Sequence, residues 1–313
     1  MAVLDSLPTE LFALIVSRID SQRDLVALSR CSKTINDLLT PLLYANVYLC
    51  TRSEQRRTSH DHSWCNPKPE PFIRLLKLAC TLQRSPEHAT HVKYLTYRAF
   101  ETFDSRQLFL LGCYQLTKRC AELVPAIEAQ ASSAEHARRW ISSICYPAED
   151  DSVLALILPQ LANLISLDIT KESYTDNLSH ALSSIVDQHL PFSLQDIVIS
   201  ASASSKHPVM LDDLEMWLRL DSIRRLYAYR VTTMWRPKTM LASYQTAYSN
   251  ITHIELRDSY LQGFEVARLL AAPRALQTFI YERRWDYLGR GPNESEPMQQ
   301  VHEALGGHKQ SLR

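Results

Sequence analysis

The densest group of metal-ligating side chains in the sequence is His60, Asp61, His62 and Cys65. Imidazole, carboxylate and thiolate are all zinc ligands, but a structural zinc site takes four of them at recognisable spacings, often as two paired sets. No second set lies nearby, so the segment reads as a solvated loop and no metal is expected. Phosphate chemistry finds no better footing. The six glycines, at positions 112, 263, 289, 291, 306 and 307, form neither a dinucleotide-type nor a P-loop-type cradle. There is no H-E-x-x-H and no G-x-S-x-G. The seven cysteines, at 31, 50, 65, 80, 113, 120 and 145, are odd in number and never spaced C-x-x-C. Reduced, mostly buried thiols are therefore expected in place of a disulfide framework. The chain reads as non-enzymatic and without cofactor.

At 313 residues, 45% hydrophobic and 22% charged, the chain can bury a large core. Its 34 basic residues balance its 34 acidic ones, and its pI is ≈ 7.2. Such a chain lacks the field of a nucleic-acid or acidic-membrane binder, and the cluster Arg52, Arg56 and Arg57 reads as solvated. The uncharged run from Val153 to Leu167 is interrupted by Pro159, Gln160 and Asn163, which makes it too short and too broken to span a bilayer. The opening MAVLDSLPTEL has neither a basic start nor a long apolar segment. A soluble intracellular protein, cytoplasmic and/or nuclear, is expected, with no nucleic-acid or membrane partner.

Three short helices are predicted in residues 1–50. Thr9 reads as a cap, followed by Leu11, Leu14, Ile15 and Ile19 on one helical face. A second helix starts at Asp24. A third, capped by Ser32, carries Ile35, Leu38, Leu39, Leu42 and Leu43, with Pro41 marking a bend or an end. Tyr44 to Leu49 then reads as a strand. Helices this small enclose little core, so part of their apolar surface is expected to be an interface.

The run from Leu7-Pro8-Thr9-Glu10-Leu11 through Asp24-Leu25-Val26-Ala27-Leu28-Ser29-Arg30-Cys31-Ser32-Lys33 to Leu42-Leu43-Tyr44-Ala45 resembles an F-box across residues 4–49. Cys31 stands where that family has valine and Ile35 where it has tryptophan; both are apolar, so loosened packing is expected. The resemblance implies a substrate-receptor subunit of a Skp–cullin–F-box ubiquitin ligase. It further implies that Leu7, Pro8, Leu11, Ile15, Leu25 and Leu28 bind the Skp-type adaptor and, through it, a cullin.

Residues 51–71 read as a polar linker, and residues 72–148 as a mainly helical segment. In the latter, a stripe runs from Phe72 to Leu82, further helices lie over Leu108–Leu116 and Ala121–Ile144, and one strand lies at 92–97. From 149 to 313 one pattern, apolar-x-x-apolar-x-apolar, recurs. It appears at Leu164/Leu167/Ile169, Leu194/Ile197/Ile199, Ile223/Leu226/Ala228, Ile251/Ile254/Leu256 and Leu276/Phe279/Tyr281, with Val92/Leu95/Tyr97 as an outlying copy. Helical stripes lie between copies, for example Leu178, Leu182, Ile185 and Val186, and later Phe264, Ala267 and Leu270. The copies resemble degenerate leucine-rich repeats, an α/β solenoid. The asparagine that follows the strand in that family is replaced by Glu172, Ser202, Val231, Ser259 and Arg284. Ser311-Leu312-Arg313 resembles the lead-in to a further copy, so the array reads as cut short.

The fold expected is thus α/β overall: a three-helix F-box, a helical segment and a leucine-rich-repeat-like solenoid. With the triplets inward, the residues between them alternate outward. Arg225, Tyr227, Tyr229, His253, Glu255 and Arg257 then share one face, a candidate surface for a target protein because tyrosine and arginine carry much interface energy. Two other readings stand beside the ligase receptor: an F-box scaffold acting outside a ligase, and an interaction solenoid with a helical N-terminal cap.

Overall fold

The computed structural model describes residues 7–19, 21–50, 70–98, 119–145, 149–171, 176–201, 208–232, 246–283 and 297–312. The expected linker, with its His60–Cys65 cluster and arginines, lies outside them except for Glu70 and Pro71, which open a helix; the expected helix over Leu108–Leu116, and Glu172, Ser202 and Arg284 also lie outside them.

The chain opens with α1 (Thr9–Val16), α2 (Gln22–Ser29) and α3 (Lys33–Ala45). Thr9 is the first helical residue and not its cap; Pro8 holds the cap position without a side-chain bond. The other two starts carry the expected hydroxyl chemistry: Ser21 Oγ accepts from the Asp24 N–H at 3.3 Å, and Ser32 Oγ from the Ile35 N–H at 3.1 Å. Helix α2 therefore starts before Asp24. Helix α3 runs through Pro41 to Ala45, giving up the bond a proline cannot donate while Leu39 on one side and Leu43 and Tyr44 on the other are packed.

Strand β1 (Asn46–Cys50) follows directly. Next come α4 (Glu70–Arg84), a 3₁₀ turn at Pro86–His91 and β2 (Tyr94–Arg98). Helix α5 covers 119–130, a break at 131–133 separates it from α6 (Ala134–Cys145), and α7 (Asp150–Ile157) leads to β3 (Ser166–Lys171). The remaining elements are α8 (Asp176–Asp187), β4 (Asp196–Ala201), the short β5 (Val209–Met210), α9 (Leu211–Leu218), β6 (Arg225–Tyr229), the short β7 (Val231–Thr232), β8 (His253–Ser259), α10 (Gly263–Ala271), β9 (Thr278–Arg283) and α11 (Pro297–Gly306).

The protein is α/β. Seven described strands form one sheet in the order β1-β2-β3-β4-β6-β8-β9, every neighbouring pair parallel. The triplet positions are in register across it. Leu95, Leu167, Ile197, Leu226, Ile254 and Phe279 form one row, and Tyr97, Ile169, Ile199, Ala228, Leu256 and Tyr281 the next. The leading residues Val92, Leu164, Leu194, Ile223, Ile251 and Leu276 are fully buried. An additional copy precedes them: Tyr44/Val47/Leu49 has the same spacing, and Val47 and Leu49 pair with Leu95 and Tyr97. Helices make the second layer, α4 against α7, α7 against α8, α8 against α9, and α10 against α11.

Residues from Leu49 to Val301 share a single core. The N-terminal helices have a separate small one: Phe12 and Val16 of α1 against Ile35 and Leu39 of α3, flanked by Leu25, Leu28 and Leu43. Ile35 thus fills the small core, whereas Cys31 is exposed. Phe264 is also exposed, contrary to its expected stripe; Val266, Leu269 and Leu270 are the buried face of α10.

Where strands end, the chain bends through Arg230 and Asp258, both with positive φ (60° and 47°), costing roughly 1–2 kcal/mol each. Ser259, at the position where an asparagine was missed, partly replaces it. Its Oγ accepts from the N–H of Val231, the matching residue one copy earlier, at 3.1 Å and donates to the Arg257 carbonyl at 2.9 Å. No helix among the described residues is long and apolar enough to cross a membrane.

Two substitutions separate the cores. Leu226→Ala should destabilise the sheet by about 2–5 kcal/mol, read as a lower urea midpoint. Leu39→Ala should speed hydrogen exchange in residues 9–43 while leaving the amides of β3, β4 and β6 protected. Ser259→Ala strands the buried Val231 N–H and should cost about 1–3 kcal/mol in the same urea assay.

Candidate protein-interaction surfaces

The first surface is built by α1 and α3. Helix α1 turns Phe12 and Val16 inward, which leaves Leu11 (49% exposed), Leu14 (61%) and Ile15 (45%) on its outer side. Helix α3 does the same, burying Ile35 and Leu39 and exposing Leu38 (38%) and Leu42 (50%). The apolar stripe expected on α1 is therefore the outward one. Of the six candidate adaptor residues, Pro8, Leu11 and Ile15 are exposed and Leu7 is half-buried. Leu25 and Leu28 are half-buried against the small core, so they support the face more than they form it. Leu14, Leu38 and Leu42 belong to the surface and were missed as such. The available signal was width: five apolar residues on α3 span more arc than one buried stripe needs.

This unit meets the sheet through the far end of α3. Tyr44 stacks on His88 of the 3₁₀ turn with ring centroids 4.6 Å apart, and the Lys93 N–H donates to the Ala45 carbonyl at 3.0 Å. The exposed leucines take no part in that joint.

The second surface is the face of the sheet opposite the helices. All six candidate target residues stand there, paired as Arg225↔His253, Tyr227↔Glu255 and Tyr229↔Arg257. Tyr229 is 39% exposed, and the Tyr227 ring lies 5.0 Å from that of His253. The arginines are already engaged by carboxylates on the neighbouring strand or, for Glu255, on the same one. Arg225 grips Asp196 with both ends of its fork, one contact at 2.5 Å. Arg257 reaches Glu255 at 2.7 Å and Glu282 at 3.0 Å, and Arg98 reaches Asp168 at 2.7 Å. His253 Nε2 lies 3.6 Å from Glu255. A partner would have to displace these carboxylates to use the guanidiniums, so the tyrosines are the readier anchors.

The pairing is visible in the charges themselves. The hydrogen bond from Arg257 holds the Glu255 carboxyl below its usual range, and the bond to Asp196 pushes the Arg225 guanidinium up. Exposed as they are, these pairs each contribute little to stability. Among the described residues no group of three or more histidine, cysteine, aspartate or glutamate side chains is placed to hold a metal ion.

Because its folded pKa is depressed, Glu255 adds stability above the ordinary glutamate value of 4.5, and that contribution is lost as pH falls through the lower folded value. Glu255→Gln should therefore flatten the acid limb of a plot of urea midpoint against pH between about pH 5 and pH 2. An unchanged limb would mean the Arg257 pair is absent in solution.

The chain matches no protein-family model and no curated protein.

Proposed function

We propose that this chain is a non-catalytic substrate-recognition subunit of a Skp–cullin–F-box ubiquitin ligase. In this reading α1–α3 are an F-box that binds a Skp-type adaptor, and the parallel sheet is a degenerate leucine-rich-repeat solenoid whose open face binds the target protein. The observation that carries it is the exposed apolar side chains, Leu11, Leu14 and Ile15 on α1 and Leu38 and Leu42 on α3, of helices that resemble an F-box. A unit with so small a core gains by burying such side chains against a partner. A mere cap would spend them on the rest of the chain, whereas the joint runs instead through Tyr44 and Ala45. The solenoid part is supported by strands that add to the sheet in chain order, each parallel to the last, with a helix in the described chain between every neighbouring pair but β6 and β8.

A receptor of this kind makes and breaks no bonds. Its contribution is proximity: holding the target near a ubiquitin-charged enzyme raises the local concentration of target lysines. Rigid spacing between the two surfaces matters for that task. Here α3 leads into β1 without a linker, and the Tyr44 ring contact braces the junction.

The test is an adaptor pull-down with Pro8 and Leu11 both changed to glutamate. Burying charges where the face was apolar should weaken adaptor binding by about 2 kcal/mol or more, with the far-ultraviolet circular dichroism of the sheet unchanged. Retained binding would remove the F-box assignment. Recovery of adaptor and cullin together supports the ligase receptor; adaptor alone supports an F-box scaffold outside a ligase; neither supports the cap.

A further inference from the structure

Helices α5 and α6 form a tight hairpin. Only residues 131–133 join them, the Ala131 N–H donates to the Ile127 carbonyl at 2.8 Å, and the His136 N–H donates to Ser133 Oγ at 3.1 Å. Short connections make antiparallel neighbours. Their buried stripes, Cys120, Leu123 and Ile127 on one and Ala137, Trp140 and Ile144 on the other, enter the same core. The residue near the start of the first helix then lies across from the residue that ends the second, and these are Cys120 and Cys145. After burial, Cys145 is the group that most perturbs the Cys120 thiol, as expected of two side chains that face each other at the open end of the hairpin. They differ in access: Cys120 is 4% exposed, whereas Cys145 faces solvent. Cys80 of α4 stands close by, its Sγ bonded to the Arg119 carbonyl at 3.8 Å.

We propose that Cys145 and Cys120 are a reversible oxidative modification site, in which Cys145 takes the oxidising equivalent of a hydroperoxide and Cys120 closes it as an intramolecular disulfide. Access assigns the order. Burial, with Cys145 nearby, pushes the Cys120 thiol well up, so it stays protonated and shielded from a peroxide in solution. In the first step the Cys145 sulfur attacks hydrogen peroxide. The O–O bond breaks, the sulfur becomes a sulfenic acid, and the thiol proton leaves with the departing oxygen as water. In the second step the Cys120 sulfur attacks the Cys145 sulfur. The S–O bond breaks, and the departing hydroxide takes the Cys120 proton and leaves as a second water. Two thiols are oxidised and one peroxide is reduced to two waters. The disulfide staples the open end of the hairpin, and a dithiol reductant reopens it.

The full chain, reduced and then exposed to hydrogen peroxide, should be digested without reductant and mapped by mass spectrometry. The expected product is one linked pair of peptides joining Cys120 to Cys145, lighter by two hydrogen atoms than the reduced pair and lost after dithiothreitol. In Cys145→Ser the link should vanish with Cys120 still reduced. In Cys120→Ala, Cys145 should instead advance to the sulfinic acid. A Cys80–Cys120 link in the unmodified sequence, or Cys145 oxidised there without joining Cys120, would overturn the proposal. So would both thiols remaining reduced while the exposed Cys31 is oxidised.

Discussion

The Lys93 carbonyl accepts the N–H groups of Ile165 and Ser166, at 2.7 and 3.1 Å. The same bond recurs along the sheet: Gln195 N–H to the Ile165 carbonyl, Arg224 N–H to Gln195, Thr252 N–H to Arg224 and Gln277 N–H to Thr252, each at 2.8 Å. In each case the donor is the residue just before a strand and the acceptor is its counterpart one copy earlier. This ladder fixes register before a strand begins. With register fixed, side-chain alternation decides the rest, because a slip of one residue would turn every apolar triplet toward solvent. The paired rows of Leu167, Ile197, Leu226 and Ile254, and the charged row facing away from them, are two consequences of one backbone constraint.

The sheet was legible because its signal is redundant. A triplet such as Ile223/Leu226/Ala228 means little alone, but repeated at similar spacing it identifies the buried face of each strand. The copy at Tyr44/Val47/Leu49 escaped because its first residue is also the end of α3, so two patterns overlap on the same few positions. The helices were harder. On α1, Leu11, Leu14 and Ile15 form a stripe as regular as any core stripe, yet Phe12 and Val16 are the residues that pack. Periodicity reports that a face is apolar and not what covers it. Phe264 misled in the same way, since an aromatic at a stripe edge is indistinguishable in sequence from one at its centre.

The candidate site was legible in position and not in electrostatics. The outward alternation put Arg225, Tyr227, Tyr229, His253, Glu255 and Arg257 on one face, where they stand. What sequence could not carry was the cross-strand pairing: Asp196 lies far from Arg225 in the chain, and only the register brings the carboxylate onto the guanidinium. That pairing changes the chemistry of the surface. An array of free arginines would favour an anionic partner, whereas guanidiniums already held by carboxylates leave tyrosine rings and neutral ion pairs on offer. The two surfaces thus differ in kind. The outer sides of the N-terminal helices are apolar and uncovered; the sheet face is polar, with its arginines held by carboxylates.

The proposed division of labour rests on the first surface being an adaptor site physically separate from the second. Hydrogen exchange of the full chain, alone and with a Skp-type adaptor, tests that most directly. The account predicts that bound adaptor slows exchange in residues 7–43 and leaves β6, β8 and β9 unaffected. Slowed exchange in those strands, or no change anywhere, would contradict it.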